Sequence, residues 1–149
     1  MSSADTPTEV LSEISQRALD GLRPQLARLI IDAYFDAQPP EGLSERVDAL
    51  VRIGSRQKRS LWNHLVREDP RIGICLDPRS DESFALFRDL ASFSIDASAW
   101  TGGPSYAQVY ESVDSARPLA LLLSQEDLQQ LRDGLNEAEV YWLNLGLRA

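Results

Sequence analysis

The side chains in this sequence that could do covalent or metal chemistry are few and scattered. A nucleophile needs a base beside it and a third group to orient that base. His64 is the single histidine and Cys75 the single cysteine among 149 residues. Ser60 stands four residues before His64, which puts the two on one face of a helix, but any helix offers that geometry. Cys75 lies in the alternating run Ile72-Gly73-Ile74-Cys75-Leu76. There the expected role is a small apolar filler in a strand covered on both faces, because a reactive thiolate needs an electropositive, partly exposed setting. Asp32 and Asp36 fall one helical turn apart and could clamp a divalent cation; solvent exposure accounts for the pair as well. Asp77, Asp81 and Glu82 surround a proline-containing loop that lacks the alternating acids, central glycine and terminal glutamate of a calcium loop. Cys75 and His64 supply two ligands where a zinc site of Cys and His type needs three or four. Gly102-Gly103 suits a hairpin turn. The expectation is a protein with no catalytic set, no metal and no cofactor.

Charge is more informative than chemistry. Lys and Arg number 15 against 23 Asp and Glu, a net charge of −8, with 43% hydrophobic residues. The length fits one domain, with residues 1–6 expected as a flexible tail. A lone cysteine excludes an intrachain disulfide. The polar, acidic N-terminus has none of the basic-then-apolar order of a signal peptide. The longest apolar run, Leu119 to Leu123, is five residues, far below the roughly 18 of a membrane span. Together with the free thiol this predicts a cytoplasmic protein with no membrane partner. The charge is unevenly spread: −4 over residues 1–41, +3 over 42–71 and −7 over 72–149. Repulsion by the phosphate backbone disfavours nucleic acid as a partner for such a surface.

The elements that must position these residues follow from periodicity. Thr6-Pro7-Thr8-Glu9 combines a capping box with proline at the first helical position, and Leu11, Ile14, Ala18 and Leu22 continue on one helical face. Pro24 interrupts, after which Leu26, Leu29, Ile30, Ala33, Tyr34 and Ala37 predict a kinked continuation or a second helix, stopped at Pro39-Pro40-Glu41-Gly42. Leu43, Val47, Leu50 and Val51 predict a further helix and Leu61, Trp62, Leu65 and Val66 another, with a break near Gly54. From Pro70 onward the period falls to two. Strands are predicted over Ile72–Leu76, Phe93–Ala97, Tyr106–Val113 and Pro118–Leu123, with a short helix at Phe84–Ala91. Ser124, with Asp127 three residues on, opens one last helix from Leu128 to Leu145, with Gly146 placed to end it. This order reads as α+β: an N-terminal layer of three or four helices, a three- to four-stranded, mainly antiparallel meander, and a C-terminal amphipathic helix.

Two surfaces stand out on that frame. If the helix carrying Leu61 starts near Ser55, then Arg56, Lys58 and Arg59 occupy its first turn, where cations oppose the macrodipole by about 0.3–1 kcal/mol each. Free amides beside three cations would make an anion-binding corner; in a single long helix the same residues are ordinary surface charges. The second surface is the hairpin. Tyr106, Gln108, Tyr110 and Ser112 share one strand face, while Ala107, Val109, Glu111 and Val113 share the other. Taking the small aliphatic set as the core side leaves Tyr106 and Tyr110 displayed with Trp100, beside Asp96, Glu111 and Asp114. Exposed aromatic rings of this kind suit a protein interface, although rings that merely cover a helix would give the same pattern.

A small acidic domain with no catalytic constellation reads best as a binding module that masks another protein, specifically a bacterial immunity protein or antitoxin occluding a basic toxin. Electrostatic steering would speed that association. A dimeric acidic chaperone or adaptor for a secreted protein, self-associating through residues 125–145, is the second reading. A small metal- or ligand-binding enzyme using Asp32 and Asp36 is the third.

Overall fold

The computed structural model describes residues 8–35, 41–60, 69–116 and 118–147. Its first helix, α1 (Thr8–Leu22), buries Ile14, Ala18, Leu19 and Leu22 together with Ser15. A 3-10 turn at Arg23–Gln25, with Pro24 inside it, ends the helix. The chain does not resume as a helix. Leu26–Ile31 forms strand β1, and the reason lies in its register. A bulge between Leu26 and Arg28 inserts one extra residue, so Leu26 and Leu29, three apart, both turn inward. A bulged strand thus copies the i, i+3 spacing of a helix. The adjacent Ile30 and Ile31 suit the pleated backbone.

β1 is the second strand of a five-stranded antiparallel sheet of order β2-β1-β3-β4-β5, with β2 at Ile74–Leu76, β3 at Asp96–Thr101, β4 at Gln108–Val113 and β5 at Leu119–Leu121. The fold is α+β, and the fifth strand relative to expectation is β1. Helix α2 (Ser44–Ser60) runs unbroken through Gly54. That glycine is a contact point and not a helix stop. A Cβ there would lie 2.0 Å from the Pro70 carbonyl oxygen and 2.9 Å from Ile74, so its absence lets α2 sit close against β2. From the same helix, the Gln57 side-chain amide accepts the Cys75 backbone N–H at 3.0 Å and donates to the Cys75 carbonyl at 2.5 Å. It thereby occupies the outer hydrogen-bonding groups of an edge strand that would otherwise be open to pairing.

Helix α3 (Asp81–Leu90) starts where Ser80 Oγ accepts the Ser83 N–H. Its Phe84, Phe87 and Leu90 meet Leu19 and Leu22 of α1 over the inner sheet face, built from Leu29, Ile31, Ile74, Leu76, Ala97, Ala99 and Tyr110. Burying side chains of this size contributes about 1.5–3 kcal/mol each, which fixes which face of the sheet turns inward. Residues 125–145 form two helices: α4 (Gln125–Gly134), capped as expected by Ser124, and α5 (Glu137–Leu147). The break is a second capping box, in which Glu139 N–H donates to Asn136 Oδ1 and Asn136 N–H to Glu139 Oε1. Leu131 of α4 and Leu143 of α5 close on Ile14 and Ala18 of α1 in a smaller second cluster. Between β4 and β5 the chain passes through three successive left-handed residues, Asp114, Ser115 and Ala116, at φ +48°, +62° and +65°. Asp114 N–H to the Ile95 carbonyl and Ser115 N–H to the Ser94 carbonyl hold this strained turn.

Candidate functional site

Helices α1 and α3 pack on one face of the sheet, and among the described residues the other face carries no helix. Alternation along the strands settles what it displays. With Leu29, Ile31, Ala97, Ala99 and Tyr110 turned inward, the residues between them turn outward: Ile30 on β1, Cys75 on β2, Ser98 on β3, Glu111 on β4 and Ala120 on β5. Ile30 lies opposite both Cys75 and Ser98, Ser98 opposite Glu111, and Glu111 opposite Ala120.

One end of the face is aromatic. Alternation past the inward Ala99 leaves the Trp100 indole on the outer side, where its Nε1–H donates to Ser98 Oγ at 3.1 Å; a second bulge beside it inserts Val109 on β4. Tyr106 stacks on it, with ring centroids 5.1 Å apart and planes 15° from parallel, and is 53% exposed. Arg28 lies directly opposite Trp100, its Nη2 3.9 Å from Cys75 Sγ. The sulfur and the Tyr106 hydroxyl raise its pKa further. No carboxylate pairs with Arg28 among the described residues.

The other end is acidic. Asp32 continues the outward alternation past the end of β1, and its backbone N–H donates to the Asp96 carbonyl at 2.9 Å. The Asp32 carboxylate takes the Gly73 N–H at 2.7 Å. Desolvation, together with repulsion from Asp32 and Glu111, raises the pKa of Asp96. Asp96 and Glu111 have no cation against them among the described residues. Several carboxylates elsewhere do: Glu13 pairs with Arg17, Asp81 with Arg23, Asp89 with Arg46 and Asp20 with Arg88. Among the described residues no three His, Cys, Asp or Glu side chains are grouped closely enough to hold a metal ion, and no helix is long and apolar enough to cross a membrane.

Of the hairpin residues singled out in the sequence, Trp100, Tyr106, Asp96 and Glu111 therefore share this face. Tyr110 does not. It is 1% exposed, donates to or accepts from Ser15 Oγ at 2.6 Å and meets Phe87 edge-on. The expectation that the aliphatic set of β4 faces the core is reversed for Tyr110, Glu111 and Ser112: α1 supplies a hydroxyl for the tyrosine, whereas nothing inside could receive the Glu111 charge. Asp114 is exposed in the turn after β4, at the acidic end of the sheet.

The anion-binding corner loses its premise. Arg56, Lys58 and Arg59 lie near the C-terminal end of α2, where cations agree with the macrodipole and no free amides converge. Cys75 is exposed on an edge strand, not enclosed between two layers. Asp32 ends a strand, so it shares no helical turn with Asp36; Asp36 and His64 both lie outside the described residues. A cleft of about 310 Å³ between α1 and α4 is lined by Arg17, Asp20, Leu123, Asp127 and Gln130 among others. Its charged groups are already engaged, Arg17 with Glu13, Asp20 with Arg88 and Asp127 with Gln25. Sequence reasoning missed Arg28 and Asp32 as parts of the outer face, because both stood on what read as a helix. The one available signal was the β-branched pair Ile30-Ile31.

No protein family, curated protein or solved structure matches this chain.

Proposed function

We propose that this protein is a cytoplasmic protein-binding, inhibitory module, most specifically an immunity protein or antitoxin that masks a basic toxin. The observation that carries the reading is the sheet face that no described helix covers, on which the exposed Tyr106 ring, stacked on a half-buried Trp100, shares a surface with carboxylates that no cation neutralises among the described residues. Such a face combines the two ingredients of a protein interface, rigid aromatic area and uncompensated charge. The net charge of −8 would draw a basic partner in by long-range attraction before any contact forms. The alternative of a chaperone dimer through residues 125–145 draws no support from Leu131 and Leu143, which α4 and α5 turn onto α1.

The test is co-expression with candidate basic toxins, those encoded beside this protein first. The expected result is protection from a toxin that co-purifies in a defined complex, with protection lost on Trp100→Ala combined with Glu111→Lys. A chain that binds a small molecule or metal and protects against none of them would overturn the reading.

A further inference from the structure

We propose that the outer edge of β5 takes an extended segment of the partner as a further antiparallel strand, with a lysine or arginine opposite Ala120 and an apolar residue two positions before it. This rests on the protein-binding reading and adds the partner's local conformation and sequence pattern.

The sheet ends in two short strands, β2 and β5, and they are treated differently. At β2 the Gln57 side chain occupies both outer backbone groups of Cys75. At β5 the inner side is fully used. Leu122 N–H donates to the Val109 carbonyl, the Pro118 carbonyl accepts the Val113 N–H, and Ala120 lies opposite Glu111 between them. Pro118, Ala120 and Leu122 thus turn their backbone groups to β4, while Leu119 and Leu121 turn theirs away. Among the described residues nothing hydrogen-bonds to those outer groups. The donor that proline lacks is on the β4 side, so Pro118 does not blunt this edge, and Leu119–Leu123 carries no charge that would. Donors and acceptors recurring at every second residue are met by another extended chain; a helix has spent its own backbone groups internally.

Charge and side-chain size choose the occupant. Ala120 is small and exposed, and it separates Glu111 from the added strand. Glu111 and Ala120 form a hydrogen-bonded pair, and Ala120 and the residue beyond it a non-hydrogen-bonded one, so the two outer Cα atoms lie about 10 Å apart. A long cationic side chain can lean over the alanine to the glutamate, whereas a carboxylate there would add repulsion. Leu122 follows on the same face and is 61% exposed; an apolar residue two positions before the cation covers it. A second copy of the chain would set −8 against −8 and has no cation in Leu119–Leu123 to offer Glu111.

The test titrates three end-blocked peptides, at low salt, into the isotope-labelled full chain and follows amide chemical shifts. The first is Thr-Leu-Val-Arg-Val-Thr, the second replaces its Arg with Glu, and the third is the first with both valine nitrogens methylated. The Arg peptide is expected to move Leu119, Leu121, Leu122 and Glu111 and to bind at least about fivefold tighter than the Glu peptide. Glu111→Gln should shrink that preference below about twofold, with the rest of the spectrum reporting an intact fold, and the methylated peptide should not bind. Equal binding of the methylated peptide overturns strand pairing, and a preference unchanged by Glu111→Gln overturns the role of that carboxylate. Shifts elsewhere, or none at millimolar peptide, overturn the proposal as a whole. So does a dimer in sedimentation whose Leu119–Leu122 shifts depend on protein concentration, because a second copy then fills the edge. In each case the reading beneath still stands or falls on toxin protection.

Discussion

Removing the Tyr110 hydroxyl tests the orientation on which the candidate face depends. The hydroxyl lies 2.6 Å from Ser15 Oγ, and both residues are essentially inaccessible to water. Tyr110→Phe keeps the ring and its edge-on contact with Phe87 but strands Ser15 Oγ in the core. A hydrogen bond contributes about 1 kcal/mol net, and a buried polar group left without its partner costs about 1–3 kcal/mol. The variant should therefore lose about 1–3 kcal/mol, with Tm falling by about 2–4 °C for each kcal/mol in a domain of this length. Ser15→Ala should cost a similar amount. The double variant removes both polar groups together, so it should be less destabilised than the sum of the singles by about 1 kcal/mol or more. Urea unfolding at constant m-value measures all three. Burial also holds the Tyr110 hydroxyl far above its ordinary pKa. The folded state keeps a proton that the unfolded chain releases near pH 10, so stability should fall as pH rises through about 10, and Tyr110→Phe should lessen that fall. A single-variant effect below about 0.5 kcal/mol, as at an exposed position, or strict additivity in the double, would refute the assignment of Tyr110 to the core and, with it, of Glu111 to the outer face.

Gly54→Ala sets helix propensity, worth about 1 kcal/mol in favour of Ala, against a Cβ placed 2.0 Å from the Pro70 carbonyl oxygen. The clash should win, and a rise in Tm would show that α2 does not approach β2 this closely. Gln57→Ala removes the side-chain cap from the Cys75 backbone, so amide exchange at Cys75 should accelerate by tenfold or more, with exchange in β3 unchanged. For Asp96 the folded pKa is raised, so its ionised form opposes folding above that value and the effect vanishes once pH is below about 3.9. Asp96→Asn should accordingly be more stable than the parent at pH 7 and indistinguishable from it near pH 3 by urea unfolding; a loss of stability at pH 7 would mean that a cation does neutralise that carboxylate.

What the sequence determined by itself was composition and local punctuation. The −8 charge, the thin supply of catalytic side chains, the α+β order and the cap at Ser124 are all properties of residues close together in the chain. Hydrogen bonds over three or four residues make such signals, and tertiary contacts do not override them. The Asn136–Glu139 capping box was equally local and went unread because the leucine spacing ran straight through it. Tertiary structure decided the rest. Leu26–Ile31 became a strand because neighbours on both sides offered it a ladder, and its bulge disguised the period of two as a period of three. Gly54 became a contact because Pro70 and Ile74, remote in sequence, press against α2. The faces of β4 were chosen by Ser15 and Phe87, which receive Tyr110, while the Glu111 charge was left to water. The acidic end and Arg28 then came to share one surface because β1 lies beside β3, a pairing across some seventy residues that no local pattern encodes.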